Sequence, residues 1–480
     1  MNTVEAIFHH ARHHPTALAF CAPGTRYNIV SYGRLTVFIN NVAHHALAAG
    51  LKRGDIVAIV VNDPIVHWAT ILGLERIGVV TLSLQSQQLP TELGLIAVLT
   101  DRTEKFATQI RVVCVDERWI EEGNGEQPAV ETRRDGSALA RLIMTSGSTG
   151  EPKAVPLTHD LIMLRTHAFG VVWGNRVSPC ARTFVDVGVA ANIGYLWPVY
   201  VLTHGGAVFL RGSDAAQTMQ AFNLYNVQCM VAAPSGMAEF LDYYERSPAF
   251  ACPFEVMVSV GSMLARPLAE RIRMRMCSHL VSGYGATEGN PVASAPMYQI
   301  AHIPGAVGYI APGIEVEAVD EADRTLGKGE EGLIRFRGPR CVAGYFGDTP
   351  GPEFRGGWFY PGDLGSITAD NVLIISGRKK TIIDVGGDKI SPQAIEAVLL
   401  SFPGVTHAAA FSRLNPLGLE EVWAAVSGRA DLSTESLRAF CATRLAEPFV
   451  PARIALVEDM PRNPAGKVDK RKLLETLSLS

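Results

Sequence analysis

The chain has 480 residues, 43 Lys and Arg against 47 Asp and Glu, a formal net charge of −4, and 48% apolar against 19% charged residues. A chain of this length suits roughly three domains or fewer and buries large cores without disulfide staples. The balanced charge argues against a dedicated binder of nucleic acid or anionic membrane, and the apolar content argues against long-range disorder.

In chain order, Met1 to His14 has the spacing of an amphipathic helix and lacks the apolar core of a secretory signal. Asp55–Val61 predicts a strand, His67–Ile77 a helix and Val79–Leu84 a second strand. Strand, helix, strand in that order implies a parallel sheet with crossover helices. Met219–Ala233 and Ala269–Ser282 repeat the pattern. From about Gly305 the texture changes to short β runs (Glu315–Val319, Gly332–Arg337, Val372–Ile375) parted by Gly and Pro. After Arg378 it becomes mixed α and β and ends in the basic string GKVDKRKL. The fold class expected is α/β. A large N-terminal domain of parallel and mixed sheets, residues 1–379 with a β-rich part at 305–379, precedes a small mobile α+β domain, residues 380–480. The eight cysteines lie too far apart for a Cys-x-x-Cys motif. No apolar run reaches the about 18 residues of a spanning helix. A cytoplasmic protein with reduced thiols and no membrane span is expected.

The most informative stretch is Leu142 to His159. An apolar run enters Thr145, Ser146, Gly147, Ser148, Thr149, Gly150, Glu151, Pro152 and Lys153. Glycines let backbone N–H groups converge on an anion, hydroxyls add donors and the lysine adds charge. This suits a polyphosphate. It is not the P-loop: G-x-x-x-x-G-K-[ST] is missing and a strand-like run follows. A plain Ser/Gly surface loop is the competing reading, and the ordered string argues against it.

With four further motifs, the chain resembles the adenylate-forming superfamily of acyl-CoA synthetases, carrier-protein adenylation domains and luciferases. Tyr284-Gly285-Ala286-Thr287-Glu288 matches Y-G-x-T-E, and Gly357-Trp358-Phe359 through Gly362-Asp363 matches G-W-F-x-x-G-D. Gly377-Arg378-Lys379-Lys380 to Glu396 matches the hinge region, and Asn463-Pro464-Ala465-Gly466-Lys467 the C-terminal lysine element. Alone, each has a plainer reading: a core tyrosine, a helix-capping Thr-Glu, a turn aspartate, a surface lysine.

The resemblance implies activation of a carboxylic acid by ATP to an acyl-adenylate, then transfer to a thiol. It implies that Thr145, Ser146, Gly147, Ser148, Thr149, Gly150 and Lys153 hold the β- and γ-phosphates. Tyr284 and Gly285 would lie against adenine, Thr287 at the α-phosphate, Glu288 on Mg²⁺, Asp363 on the ribose hydroxyls and Arg378 on the ribose or phosphate side. Lys467 would stabilise charge at the reacting atoms, Lys380 would be the hinge, and Gly386 and Gly387 would line the thiol channel. Asp186, Ala191, Met237, Gly261, Ser262 and Met263 would line the acyl pocket. ATP, Mg²⁺ and CoA are the implied cofactor and co-substrates. A phosphopantetheinyl carrier protein, acting in trans on a chain that stops at Ser480, is the alternative thiol. A non-catalytic nucleotide-binding protein is the rival from another class, and intact Lys153, Glu288, Asp363, Arg378 and Lys467 speak against it.

Three departures bear on substrate. Ala154 stands where glycine usually follows Pro-Lys, and the segment from Gln85 to Thr100 is short for the family. Ala191 takes the place of a pocket histidine common in acyl-CoA synthetases. Asp186 is the one acid in that stretch, either an anchor for a substrate α-amine or a turn aspartate.

Overall fold

The computed structural model describes residues 3–84, 89–102, 106, 109–123, 125–128, 135–146, 152–173, 182–246, 252–261, 264, 266–303, 305–347, 351–378, 383–386, 388–390, 392–400, 402–428, 432–458, 460–461 and 470–478. The predicted N-terminal helix is Thr3–His13, with Val4 and Ile7 buried. The first crossover unit is strand Ile56–Val60, helix Pro64–Ile77 and strand Val80–Ser83. Asp63 caps that helix by accepting from the Ile65 and Val66 amides, Pro64 occupies its first turn, and Gly78 ends it at φ 81°. The helix is buried along nearly its whole length, so it reads as apolar without a polar face.

Side chains of two sheets meet that helix in one core, Val57 and Ile59 from one and Phe20 and Val185 from the other. One contains Ile56–Val60, Val80–Ser83, Ala97–Thr100, Arg111–Cys114 and Leu139–Ser146 in parallel, with Pro152–Thr158 antiparallel at its edge. The other runs parallel through Leu18–Cys21, Ala207–Phe209, Arg182–Asp186, Cys229–Ala232, Val256–Ser259 and Leu280–Tyr284. At Tyr284 it turns antiparallel and continues without a break into Ala293–Pro296, Ala306–Ile310, Val372–Arg378, Asp363–Ile367 and Gly332–Arg337. The β-rich region therefore extends the central sheet. Tyr284 stands at the junction of the two halves.

The short segment noted above contains a three-residue turn, Thr91–Leu93, before strand Ala97–Thr100, and Gln85 to Gln88 lie outside the described residues. The C-terminal part builds its own sheet from Val405–Leu414, Glu420–Gly428 and Arg453–Leu456. Its core joins Ile395, Leu399, Val422, Leu437 and Cys441.

Candidate active site

The phosphate-loop residues sit at the mouth of an antiparallel hairpin. Thr145 faces Lys153 in register and Ser146 faces Pro152, and Thr145 Oγ1 donates to the Lys153 carbonyl at 3.4 Å. Gly147 to Gly150 and the Ser146 side chain lie outside the described residues. Ala154 is buried, and its carbonyl accepts from the Phe346 amide at 2.8 Å. Lys153 Nζ meets both Glu353 oxygens, at 3.0 and 2.8 Å, and lies 4.8 Å from the centre of the Tyr345 ring. The Tyr345 hydroxyl donates in turn to Glu288 Oε1 at 3.0 Å. Tyr345 thus touches both Lys153 and Glu288. Burial and the Glu288 charge hold its phenol well above the ordinary range, so it stays a donor.

Tyr284 ends its strand, and its hydroxyl donates to Asp363 Oδ2 at 2.6 Å across 79 residues. Asp363 begins its own strand opposite Arg378, whose side chain lies outside the described residues. Between Tyr284 and the cis bond Asn290–Pro291, the chain turns through Gly285, Thr287 and Glu288. A Cβ on Gly289 would come within 2.4 Å of Phe336, so only glycine fits that turn. Beneath it lies Arg165, fully buried, donating to the Thr287 carbonyl at 2.8 Å, the Glu288 carbonyl at 2.9 Å and the Arg340 carbonyl at 3.0 Å.

The predicted acyl residues fall on several elements. Asp186 ends its strand and forms a two-pronged pair with Arg211, at 2.8 and 2.7 Å, and Arg211 also meets Glu239 at 2.7 Å. A Cβ on Gly236 would fall 2.3 Å from Asp186 Oδ2, so that glycine makes room for the carboxylate. Ala191 precedes helix Asn192–Thr203 as its N-cap. Met237 is fully buried in a core with Phe184, Phe222 and Phe240. Gly261 is exposed at φ 89°. Gly386 turns a hairpin between Ile383–Val385 and Asp388–Ile390 at φ 64°. Ser262, Met263, Lys380, Gly387 and Lys467 lie outside the described residues.

A cavity of about 500 Å³ opens at the carboxyl ends of strands Ile56–Val60 and Arg182–Asp186, walled by Val61, Trp68, Phe106, Val187, Asp186 and Arg211. Crevices at strand carboxyl ends are where α/β sheets bind ligands. His67 reaches its floor, with Nδ1 donating to the Val61 carbonyl at 2.9 Å. That fixes Nε2 as acceptor for the Ser83 hydroxyl at 2.8 Å. Burial lowers the His67 pKa to about 4, so the ring is neutral. Ser83 in turn accepts from Arg141, which also donates to Thr81 and, at 2.9 Å, to the Val189 carbonyl in the cavity wall. Arg141 lies 4.3 Å from the Tyr195 ring centre, and Tyr195 donates to Glu75 at 2.8 Å. A larger hollow of about 700 Å³ on the small domain, rimmed by Glu435, Arg438, Glu447 and Arg453, holds none of the predicted site residues.

Arg141, Arg165, Arg211, Tyr345 and Glu353 were not predicted from sequence. Arg165 leaves a signal. In helix His159–Trp173 it shares the buried stripe with Ile162, Phe169 and Trp173, where a cation has no reason to sit without a polar partner. The others meet partners far along the chain, and no local pattern marks them.

Among the described residues no helix is long and apolar enough to cross a membrane, no group of three metal-ligating side chains occurs, and none of the seven described cysteines is in a disulfide. Residues 7–346 match the model of the AMP-binding enzyme family, and residues 394–467 match the AMP-binding enzyme C-terminal domain. The medium-chain fatty-acid–CoA ligase of Escherichia coli is 31% identical over 360 residues, 70% of this chain and 60% of its own length. The chain thus spans less than two thirds of that relative. A fatty acid–[acyl-carrier-protein] ligase of Streptomyces coeruleorubidus is 27% identical over 98% of this chain and 95% of its own. The solved o-succinylbenzoate CoA synthetase of Bacillus subtilis superposes with TM-score 0.84 at 21% identity, over 99% of this chain and 98% of that one. It shares the fold of a large sheet-and-helix domain followed by a smaller one. The chain belongs to the AMP-binding enzyme family, and so to the adenylate-forming superfamily its motifs resemble.

Proposed function

We propose that the chain activates a carboxylic acid with ATP and passes the acyl group to a thiol, with CoA as the acceptor. An oxygen of the carboxylate bonds to the α-phosphorus as the bond to pyrophosphate breaks. The thiol sulfur then bonds to the acyl carbon as AMP leaves, and the thiol proton passes to solvent. The first step brings two anions together, so positioning and positive charge govern its rate. The observation that carries the reading is Tyr345 bridging Lys153 and Glu288, with Tyr284 and Asp363 joined at the start of the same turn.

In this reading Thr145, Ser146, Gly147, Ser148, Thr149, Gly150 and Lys153 take the β- and γ-phosphates. Tyr284 with Gly285 takes adenine, Thr287 the α-phosphate, and Asp363 with Arg378 the ribose side. Glu288 is a single buried carboxylate. Such a donor set suits Mg²⁺, which usually takes one or two carboxylates and fills its shell with phosphate oxygens and water. When bound there it would neutralise phosphate charge. Lys467 completes the reacting centre from a domain at 380–480 that swings about Lys380, and the arm of the thiol passes Gly386 and Gly387.

Asp186 is already engaged on both oxygens by Arg211, which supports an acid without an α-amine. The largely apolar cavity beside Ala191 supports an apolar acyl body. The test is pyrophosphate release with ATP and Mg²⁺ over fatty, aryl and amino acids, with and without CoA. CoA-dependent turnover of fatty or aryl acids is expected; exclusive use of amino acids would overturn the substrate class. The likeness to the Streptomyces ligase favours one second reading, a carrier protein as the thiol. Adenylate formation that CoA never discharges would select it.

A further inference from the structure

Arg165 is a fully buried cation whose hydrogen bonds among the described residues all go to carbonyl oxygens. Three are backbone carbonyls, of Thr287, Glu288 and Arg340, and the fourth is the side-chain oxygen of Asn192 at 3.4 Å. Asn192 is the first residue of the helix that Ala191 caps, at the end of the stretch lining the cavity. One guanidinium therefore spans three separate segments: the turn bearing Glu288, the stretch after strand Gly332–Arg337, and the entry to the acyl helix. A planar fork of five fixed N–H groups can hold several acceptors in one arrangement, which a lysine ammonium cannot.

The turn is held on its other sides as well. The Val342 amide donates to the Glu288 carbonyl at 2.9 Å, so that oxygen receives two donors. Arg340 donates to the Pro312 carbonyl at 2.9 Å and the Pro291 carbonyl at 3.3 Å, which extends the lattice past the cis bond. Burial lowers the Arg165 pKa to about 10, against the pull of the Glu288 charge, and the group remains cationic at neutral pH.

We propose that Arg165 is a positioning residue that ties the Glu288 turn to the entry of helix Asn192–Thr203, so that filling the acyl cavity tightens the metal-binding turn. The inference rests on the reading that Glu288 faces Mg²⁺ and the phosphates. It adds a coupling between acid and metal that the reading alone does not contain. In the wild type, saturating acid lowers the Mg²⁺ concentration that half-saturates adenylate formation. Without the tie, the two sites respond independently.

The experiment measures half-saturating Mg²⁺ for pyrophosphate release at low and saturating acid, in the wild type and in Arg165→Lys, Asn192→Ala and Glu288→Gln. Thermal melting establishes that each variant is folded, and the rise in melting temperature that Mg²⁺ gives with a non-hydrolysable ATP analogue, with and without acid, reads the same coupling without turnover. Arg165→Lys is expected to raise half-saturating Mg²⁺ by about 10-fold or more, the usual cost of losing a group that orients a ligand. It is also expected to abolish the dependence on acid. Asn192→Ala removes one acceptor only, and is expected to weaken the dependence while leaving the fold intact, so it carries the test if Arg165→Lys does not fold. A folded Arg165→Lys or Asn192→Ala with wild-type dependence on acid overturns the coupling. Glu288→Gln is expected to raise half-saturating Mg²⁺ at every acid concentration. If it does not, the assignment of Glu288 fails first and the coupling with it; if it does and the other two variants behave as wild type, the coupling alone fails.

Discussion

Two buried arginines support two walls of the same site, and they do so by opposite chemistry. Arg141, under the cavity, is answered by the Thr81 and Ser83 hydroxyls, the Val189 carbonyl, the Tyr195 ring and, beyond that ring, the Glu75 carboxylate. Arg165, under the Glu288 turn, is answered by carbonyls. Hydroxyls can donate or accept and carboxylates can take up protons, so the cavity floor can rearrange its hydrogens and its charge. Carbonyls accept only, so the Glu288 turn keeps one hydrogen-bond pattern, which can tighten or loosen but not reverse. A floor that adapts suits an acyl body of varied shape, and a turn that does not suits a metal and a triphosphate.

The largest effect should come from breaking the floor. Arg141→Met leaves Thr81, Ser83 and the Val189 carbonyl without their donor and strips Glu75 of the cation whose charge lowers its pKa. Removing one member of a buried charged set typically costs about 3–5 kcal/mol. Urea unfolding should read a loss of that order. In the folded remainder the KM for acid should rise more than the KM for ATP, because Val189 belongs to the cavity and not to the nucleotide side. Equal changes in both would mean that the floor and the turn are not separate supports.

Titration should separate the same two regions next. Burial raises the Glu75 pKa from 4.5 to about 7 and lowers that of His67 from 6.5 to about 4. A raised carboxyl gives stability that is full below about 4.5 and lost as pH rises through about 7. A lowered imidazole gives stability present above about 6.5 and lost as pH falls through about 4. Between those limits the slopes oppose each other and the wild type should be nearly flat. Glu75→Gln removes the falling slope. Its stability should gain on the wild type by on the order of 3 kcal/mol from pH 4.5 to 7.5, the free-energy equivalent of moving the carboxyl from 4.5 to about 7. Parallel urea midpoints across that range would mean that Glu75 is ionised throughout. Arg165 contributes no slope there, since it titrates near 10.

How much of this was legible in the sequence follows from the range of the contacts. The first crossover unit could be read because β-branched runs and helical spacing are local, and the structure differs at its ends by a few residues: Pro64 starts the helix that was expected at His67. The β-rich region was also legible, but not its continuity with the central sheet, because a pairing such as Tyr284 with Ala293 joins two strands across a turn whose course no local apolar pattern marks. Tyr284 and Asp363 were named from their motifs, while their mutual hydrogen bond across 79 residues is a product of folding. Asp186 could be seen as an acid in the right stretch. Its partner Arg211, 25 residues on and in no motif, could not, and that partner changes what the acid can do. Met237 shows the limit of neighbourhood reasoning, because an apolar residue on a helix packs against Phe184, Phe222 and Phe240, partners that no local pattern names.

The smallest effect sharpens the turn side of the comparison. Tyr345→Phe keeps the ring over Lys153 and removes only the donor to Glu288. A single hydrogen bond of this kind contributes about 1 kcal/mol net, and somewhat more when its acceptor is charged. Thermal stability should therefore fall slightly. The carboxylate, with one donor fewer, becomes less well fixed but a stronger ligand, because a hydrogen bond to its charged form no longer competes for its electrons. Half-saturating Mg²⁺ should therefore change by only a few-fold, whereas maximal adenylate formation should drop by more, since position is what the turn supplies. Unchanged turnover with unchanged Mg²⁺ dependence would mean that the tyrosine only packs, and that carbonyl clamping by Arg165 alone fixes the carboxylate.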